Sequence, residues 1–101
     1  MELFEVNRMR EASYKVPEGK LVKVKLEIIA EKIAEVKILG DFFLHPEEVI
    51  LDIEKELIGC ANDETTIEDI IIQILRESNA TLIGAAAADI AQTIIMAWGT
   101  G

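Results

Sequence analysis

Residues 20–29, KLVKVKLEII, decide the fold class. Val22, Val24, Leu26 and Ile28 fall on one side of an extended chain, and Leu21, Lys23, Lys25 and Glu27 fall on the other. A period of two is that of a strand with one face buried. Residues 33–42, IAEVKILGDF, repeat it, with Ala34, Val36, Ile38 and Phe42 inward and Glu35, Lys37 and Leu39 outward. The two stretches read as an antiparallel hairpin. Charge suggests the register: Glu27 opposite Lys37 is favourable, whereas Lys25 opposite Lys37 sets like charges face to face. That choice places the turn at about residues 31–33. Upstream, SYKVPEGK (13–20) reads as a shorter strand ending in a Pro-Glu-Gly turn.

Beyond Phe43 the period changes to that of a helix. In PEEVILDIEKELIG (46–59), Val49, Ile50, Ile53 and Leu57 share one stripe. Pro46 suits the first helical position, and Gly59 suits the stop. TTIEDIIIQILRES (65–78) repeats the pattern with Ile67, Ile70, Ile71, Ile74 and Leu75, and Thr65 and Glu68 have capping-box spacing. A third helix, AAAADIAQTIIMAW (85–98), offers Ala87, Ile90, Ala91, Ile94 and Trp98. Strands followed by helices define an α+β fold: a small antiparallel sheet, a meander of about three strands, with three helices on one face. Residues 1–101 are expected to form a single domain.

The other sheet face is expected to stay open. It would present Leu21, Lys23, Lys25, Ile29, Lys37 and Leu39, apolar groups interleaved with lysines, as a surface for a protein partner. Phe43, of opposite parity to Phe42, is expected to point outward as an anchor beside it.

Composition excludes several functions. The net charge is −9, with eight Lys/Arg against seven Asp/Glu in residues 1–39 and two against twelve in residues 40–101. So acidic a second half repels phosphate backbones, which argues against nucleic-acid binding. No run of about 18 apolar residues suggests a membrane span. Cys60, the sole cysteine, allows no internal disulfide, and a reducing cytoplasm fits. One Cys and one His make poor material for a structural zinc site. His45 lies near Asp41 in sequence, but no Ser or Cys nucleophile accompanies them. Cys60 follows a helix-ending glycine, where the helix dipole raises a thiol pKa, so it reads as inert. PEGK has one glycine and leads into no helix, so it is no phosphate loop. The chain alone carries no complete catalytic constellation.

The stretches KVPEGKLVKV (15–24) and above all GDFFLHPEE (40–48) resemble the C-terminal accessory domain of lipoate–protein ligases. The similarity runs from about Tyr14 to Leu75, and LIGAAAADIAQTII (82–95) looks like a weaker form of that domain's last helix. Gly40, Asp41, Phe42, Phe43, His45 and Pro46 form the matching motif. The resemblance implies a small sheet with helices on one side, a fold also seen in iron–sulfur scaffold proteins. Those scaffolds need several cysteines, and this chain has one. It also implies an accessory role in a reaction that activates lipoate with ATP and magnesium to lipoyl-adenylate. The lipoyl group then passes to a lysine of an acceptor such as glycine-cleavage H protein or a 2-oxoacid dehydrogenase E2. The residues that bind lipoate and adenylate belong to the family's larger catalytic domain, so no cofactor is expected on this chain alone and its expected partner is a catalytic subunit. In some archaea and bacteria the accessory domain is a separate chain; one that begins with Met and spans 101 residues fits that arrangement. A stand-alone binding module of the same fold is the alternative, and a thiol carrier using Cys60 a third reading.

Overall fold

The computed structural model describes residues 9–100. Three strands, β1 (Arg10–Lys15), β2 (Leu21–Ile29) and β3 (Lys32–Gly40), form an antiparallel sheet in sequential order. β4 (Phe43–His45) follows at once, then helices α1 (Val49–Leu57) and α2 (Glu64–Glu77), strand β5 (Thr81–Ile83) and helix α3 (Ala87–Trp98). β4 pairs with β5 in a separate two-stranded antiparallel ribbon. The α+β class, the three-stranded meander and the three described helices on one face are as the periodicities indicate.

The core lies between sheet and helices. Val22, Val24 and Leu26 of β2 are fully buried, with Val36 and Ile38 of β3 beside them. α3 covers β1 and β2, α1 covers β3, and α2 packs against both helices. The stripes close as read: Val49, Ile53 and Leu57 of α1 are buried, as are Ile67, Ile71 and Ile74 of α2 and Ala87, Ile90, Ala91 and Ile94 of α3. Thr93 is buried with them, and its hydroxyl donates to the Asp89 carbonyl at 2.7 Å, which satisfies it within the helix.

Four local expectations are corrected. The hairpin register pairs Lys25 with Lys37 and Glu27 with Glu35, not Glu27 with Lys37. The turn sits at Ala30 and Glu31, whose φ values of 54° and 63° are those of a tight left-handed turn without the usual Asn or Gly. Burying one Val or Leu stabilises by about 1.5–3 kcal/mol, against about 0.2–1 kcal/mol for a surface cross-strand pair. The core pairs Val24–Ile38 and Leu26–Val36 therefore outweigh the charges. On its other side Lys25 faces Glu11 of β1, whose Oε1 also stands 4.0 Å from Lys23 Nζ.

Secondly, Ala34 is only half-buried, and Ile33 takes the core position. The register shifts between Glu27 and Ile28, so one extra residue on β3 reverses the parity. Ile33 is fixed there by two backbone bonds to the end of α1, accepting from Gly59 N–H at 2.8 Å and donating to the Cys60 carbonyl at 2.9 Å. Thirdly, Pro46 does not open the regular helix. Its carbonyl and those of Glu47 and Glu48 accept from Val49, Ile50 and Leu51 at 3.0–3.1 Å, a tight turn that feeds α1. Finally, Asp63, not Thr65, caps α2, accepting from Thr66 N–H at 3.3 Å and from its hydroxyl at 2.9 Å. Asp63 ends the irregular run after Gly59, so its carboxylate reaches the free N–H groups first.

Candidate functional site

The three stretches most distinctive in sequence meet at one end of the molecule. Lys20, in the turn from β1 to β2, donates its backbone N–H to the carbonyl of Gly84, after β5, at 2.8 Å. Asp41, at the corner after β3, donates to the Leu21 carbonyl at 3.0 Å. Glycine is required twice here. Gly40 has φ +153°, and a Cβ on it would collide with the Leu21 carbonyl. Gly84 has φ +97°, and a Cβ there would lie 2.6 Å from Lys20 Cγ and 3.5 Å from Phe42 Cα. The backbone segments are in contact because neither residue carries a side chain.

This junction sets the direction of the GDFFLHPEE side chains. Phe42 is half-buried and packs against the core. Phe43 turns outward and is 54 % exposed, while Leu44 is buried. His45 is on β4 rather than at the start of a helix, because the chain pairs with β5 before α1 begins. Its ring stacks on Phe43 with centroids 6.3 Å apart and planes 6° from parallel. Asp41 and His45 are both exposed, as a corner would have them. A shallow groove of about 290 Å3 runs beside Phe43, lined by Ile38, Leu39, Phe42, Leu44 and Ile50 with Glu47 at its side.

The open sheet face is laid out by register. Ser13, Lys23 and Leu39 form one row and Glu11, Lys25 and Lys37 the next, with Leu21 opposite Lys15 at the junction end. Leu39 is 47 % exposed, Lys37 and Ile29 are exposed, and Leu21, Lys23 and Lys25 are half-exposed. The sheet residues marked for docking thus share one surface, and Leu39 joins it to the groove beside Phe43. Sequence reasoning missed Ile83, the Cα partner of Phe43, which is 59 % exposed. Its signal was present but short: TLI stands between Asn79 and Gly84, both with positive φ.

Among the described residues, no group of three or more His, Cys, Asp or Glu side chains could hold a metal ion. Partial burial pushes the Cys60 thiol above its ordinary range, and the charge of Glu56 adds to the shift. No described helix is long and apolar enough to cross a membrane.

The fold and this corner define a small, open-faced α+β domain of two layers, with its distinctive residues grouped at one backbone junction. Over residues 8–94 the sequence matches the family described as bacterial lipoate protein ligase C-terminus. The chain belongs to that family. It is similar in structure to a solved chain from an archaeal lipoylation system of Thermoplasma acidophilum, described as a bipartite lipoate protein ligase and its E2 lipoyl domain. The TM-score is 0.72 and the identity 28 %, covering 85 % of this chain and 93 % of that one. No curated protein sequence matches the chain.

Proposed function

We propose that this protein is the accessory subunit of a two-chain lipoate–protein ligase, with catalysis in a separate partner. The observation that carries the reading is the similarity to a chain of a bipartite ligase over 93 % of that chain's length, within a family match over residues 8–94. In the complete enzyme, lipoate, ATP and magnesium form lipoyl-adenylate, and the lipoyl group passes to a lysine of an acceptor such as an E2 lipoyl domain or glycine-cleavage H protein. This reading assigns nucleotide, magnesium and lipoate to the partner and places the assembly in the cytoplasm.

The accessory chain acts on adenylation by docking through its open sheet face, with Leu21, Lys23, Lys25, Lys37, Leu39 and Phe43 in contact. It closes or orders the partner's nucleotide loops, excludes water, and holds the lipoate carboxylate near the α-phosphate. The test is reconstitution. This chain alone forms no lipoyl-adenylate, the catalytic chain alone is poor, and mixing restores the step. Supplied with preformed lipoyl-adenylate, the catalytic chain transfers the lipoyl group with little need of this protein. A catalytic chain that adenylates equally well without it would leave the binding-module reading standing.

A further inference from the structure

We infer that the anchor of the docking surface is the outward side of the β4–β5 ribbon, Phe43 with Ile83 and the stacked His45, and that it seats an apolar segment flanked by carboxylates on the catalytic partner. The inference rests on the accessory-subunit reading and adds Ile83 and His45 to it.

A ribbon of two three-residue strands is too short to be stable by itself. Here the fold maintains it with its inner side chains against the core, Leu44 buried and Leu82 partly buried. Its outer side chains remain in water. Phe43 and Ile83 are direct Cα partners and are 54 % and 59 % exposed. Paired exposed apolar groups of this size mark a binding surface more often than single ones do. The ribbon is also held by the Gly84–Lys20 hydrogen bond and the close glycine contacts, so it loses little freedom on binding.

Charge selects the occupant. Leu39, which lines the groove with Phe43, has Lys23 as its cross-strand partner and Lys37 two residues before it on the same face. On the other flank, the Lys20 stem lies against Gly84, next to Ile83. Lys20 therefore borders the ribbon, and Lys23 and Lys37 border Leu39 at the sheet end of the groove. Glu47 is the one anion lining that groove, so the sheet flank complements carboxylates around an apolar anchor. Leu51 and Ile58 are comparably exposed, at 62 % and 54 %, but they lie on α1 and at its end, away from the sheet lysines and without the cross-strand pairing that joins Phe43 to Ile83.

The experiment titrates this protein into the catalytic chain of a two-part ligase by calorimetry. Ile83→Asp is expected to weaken binding by about 30-fold, the scale of an interface hot spot, and Leu51→Asp by less than about threefold. Ile83→Ser should give an intermediate loss, and unchanged thermal melts would show that all three variants fold. Wild-type binding by Ile83→Asp and Phe43→Ala alike would overturn the ribbon assignment while leaving the accessory reading intact. So would loss of self-association in Ile83→Asp with partner binding retained, since the patch would then join two copies of this chain. A wild-type protein that does not bind the catalytic chain at all overturns the accessory reading and this inference together.

Discussion

The two faces of β2 carry alternate residues of a single strand, yet they obey different forces. Val22, Val24 and Leu26 meet the helices and are fully buried; Lys23 and Lys25, one step along the backbone, stand half-exposed between charges and leucines. The buried face dictates register, because each apolar side chain removed from water is worth more than a surface ion pair. The open face then takes whatever neighbours that register supplies, Lys25 opposite Lys37 included. A strand can therefore hold a domain together on one side while its other side remains free to meet a partner.

The sharpest way to break this comparison is to truncate each face in turn. Leu26→Ala should cost about 2–5 kcal/mol of stability in urea unfolding, and Lys25→Ala no more than about 0.5 kcal/mol. Similar losses would mean that the open face is packed as tightly as the core. The same contrast recurs at the corner. Phe42→Ala should destabilise by about 2 kcal/mol, roughly half the cost of deleting a fully buried Phe, while Phe43→Ala should barely move the melting temperature. Equal destabilisation would refute the parity argument for the corner.

A smaller effect tests the free edge of β3. Glu54 of α1 accepts the Ile38 backbone N–H at 2.8 Å, so a helix side chain closes part of that edge against strand addition. Glu54→Ala should cost about 1 kcal/mol and speed hydrogen exchange at Ile38 above all other β3 amides. Unaltered exchange there would show that the carboxylate does not protect the edge.

The smallest expected change is a cap on the helical side. Hydrogen bonds from Thr66, first its hydroxyl and then its backbone N–H, hold the Asp63 carboxyl below the ordinary aspartate value of 3.8. A lowered folded-state pKa contributes stability that is present above pH 3.8 and is lost as the pH falls through the folded value. Asp63→Ala should therefore melt slightly below wild type at neutral pH, and the two melting curves should converge in acid. A gap that persists in strong acid would assign the effect to helix propensity instead of the charged cap.

Within the candidate site, legibility depended on how long each pattern ran. The alternation through β2 and the later part of β3 is long enough to reveal both faces, so Leu21, Lys23, Lys25, Lys37 and Leu39 fall on one surface from spacing alone. Pro46 reads as the first residue of a helix, which would leave His45 at the helix entry and not on a strand. The competing partner, Thr81, is far along the chain and no local periodicity announces it. Ile83 was missed for the same reason, since three residues give too short a run to show a period.

The sequence by itself determined the α+β class, the two faces of β2, the helical stripes, the acidic second half and the family, because each is written in spacing, composition or a local motif. Tertiary structure alone decided the hairpin register, the bulge at Ala34, the β4–β5 ribbon and the junction of Lys20, Gly40 and Gly84. These depend on backbone segments distant in sequence that compete for the same hydrogen bonds and the same core volume. The outcome of that competition follows from the summed burial of the whole core, which no local stretch of residues contains.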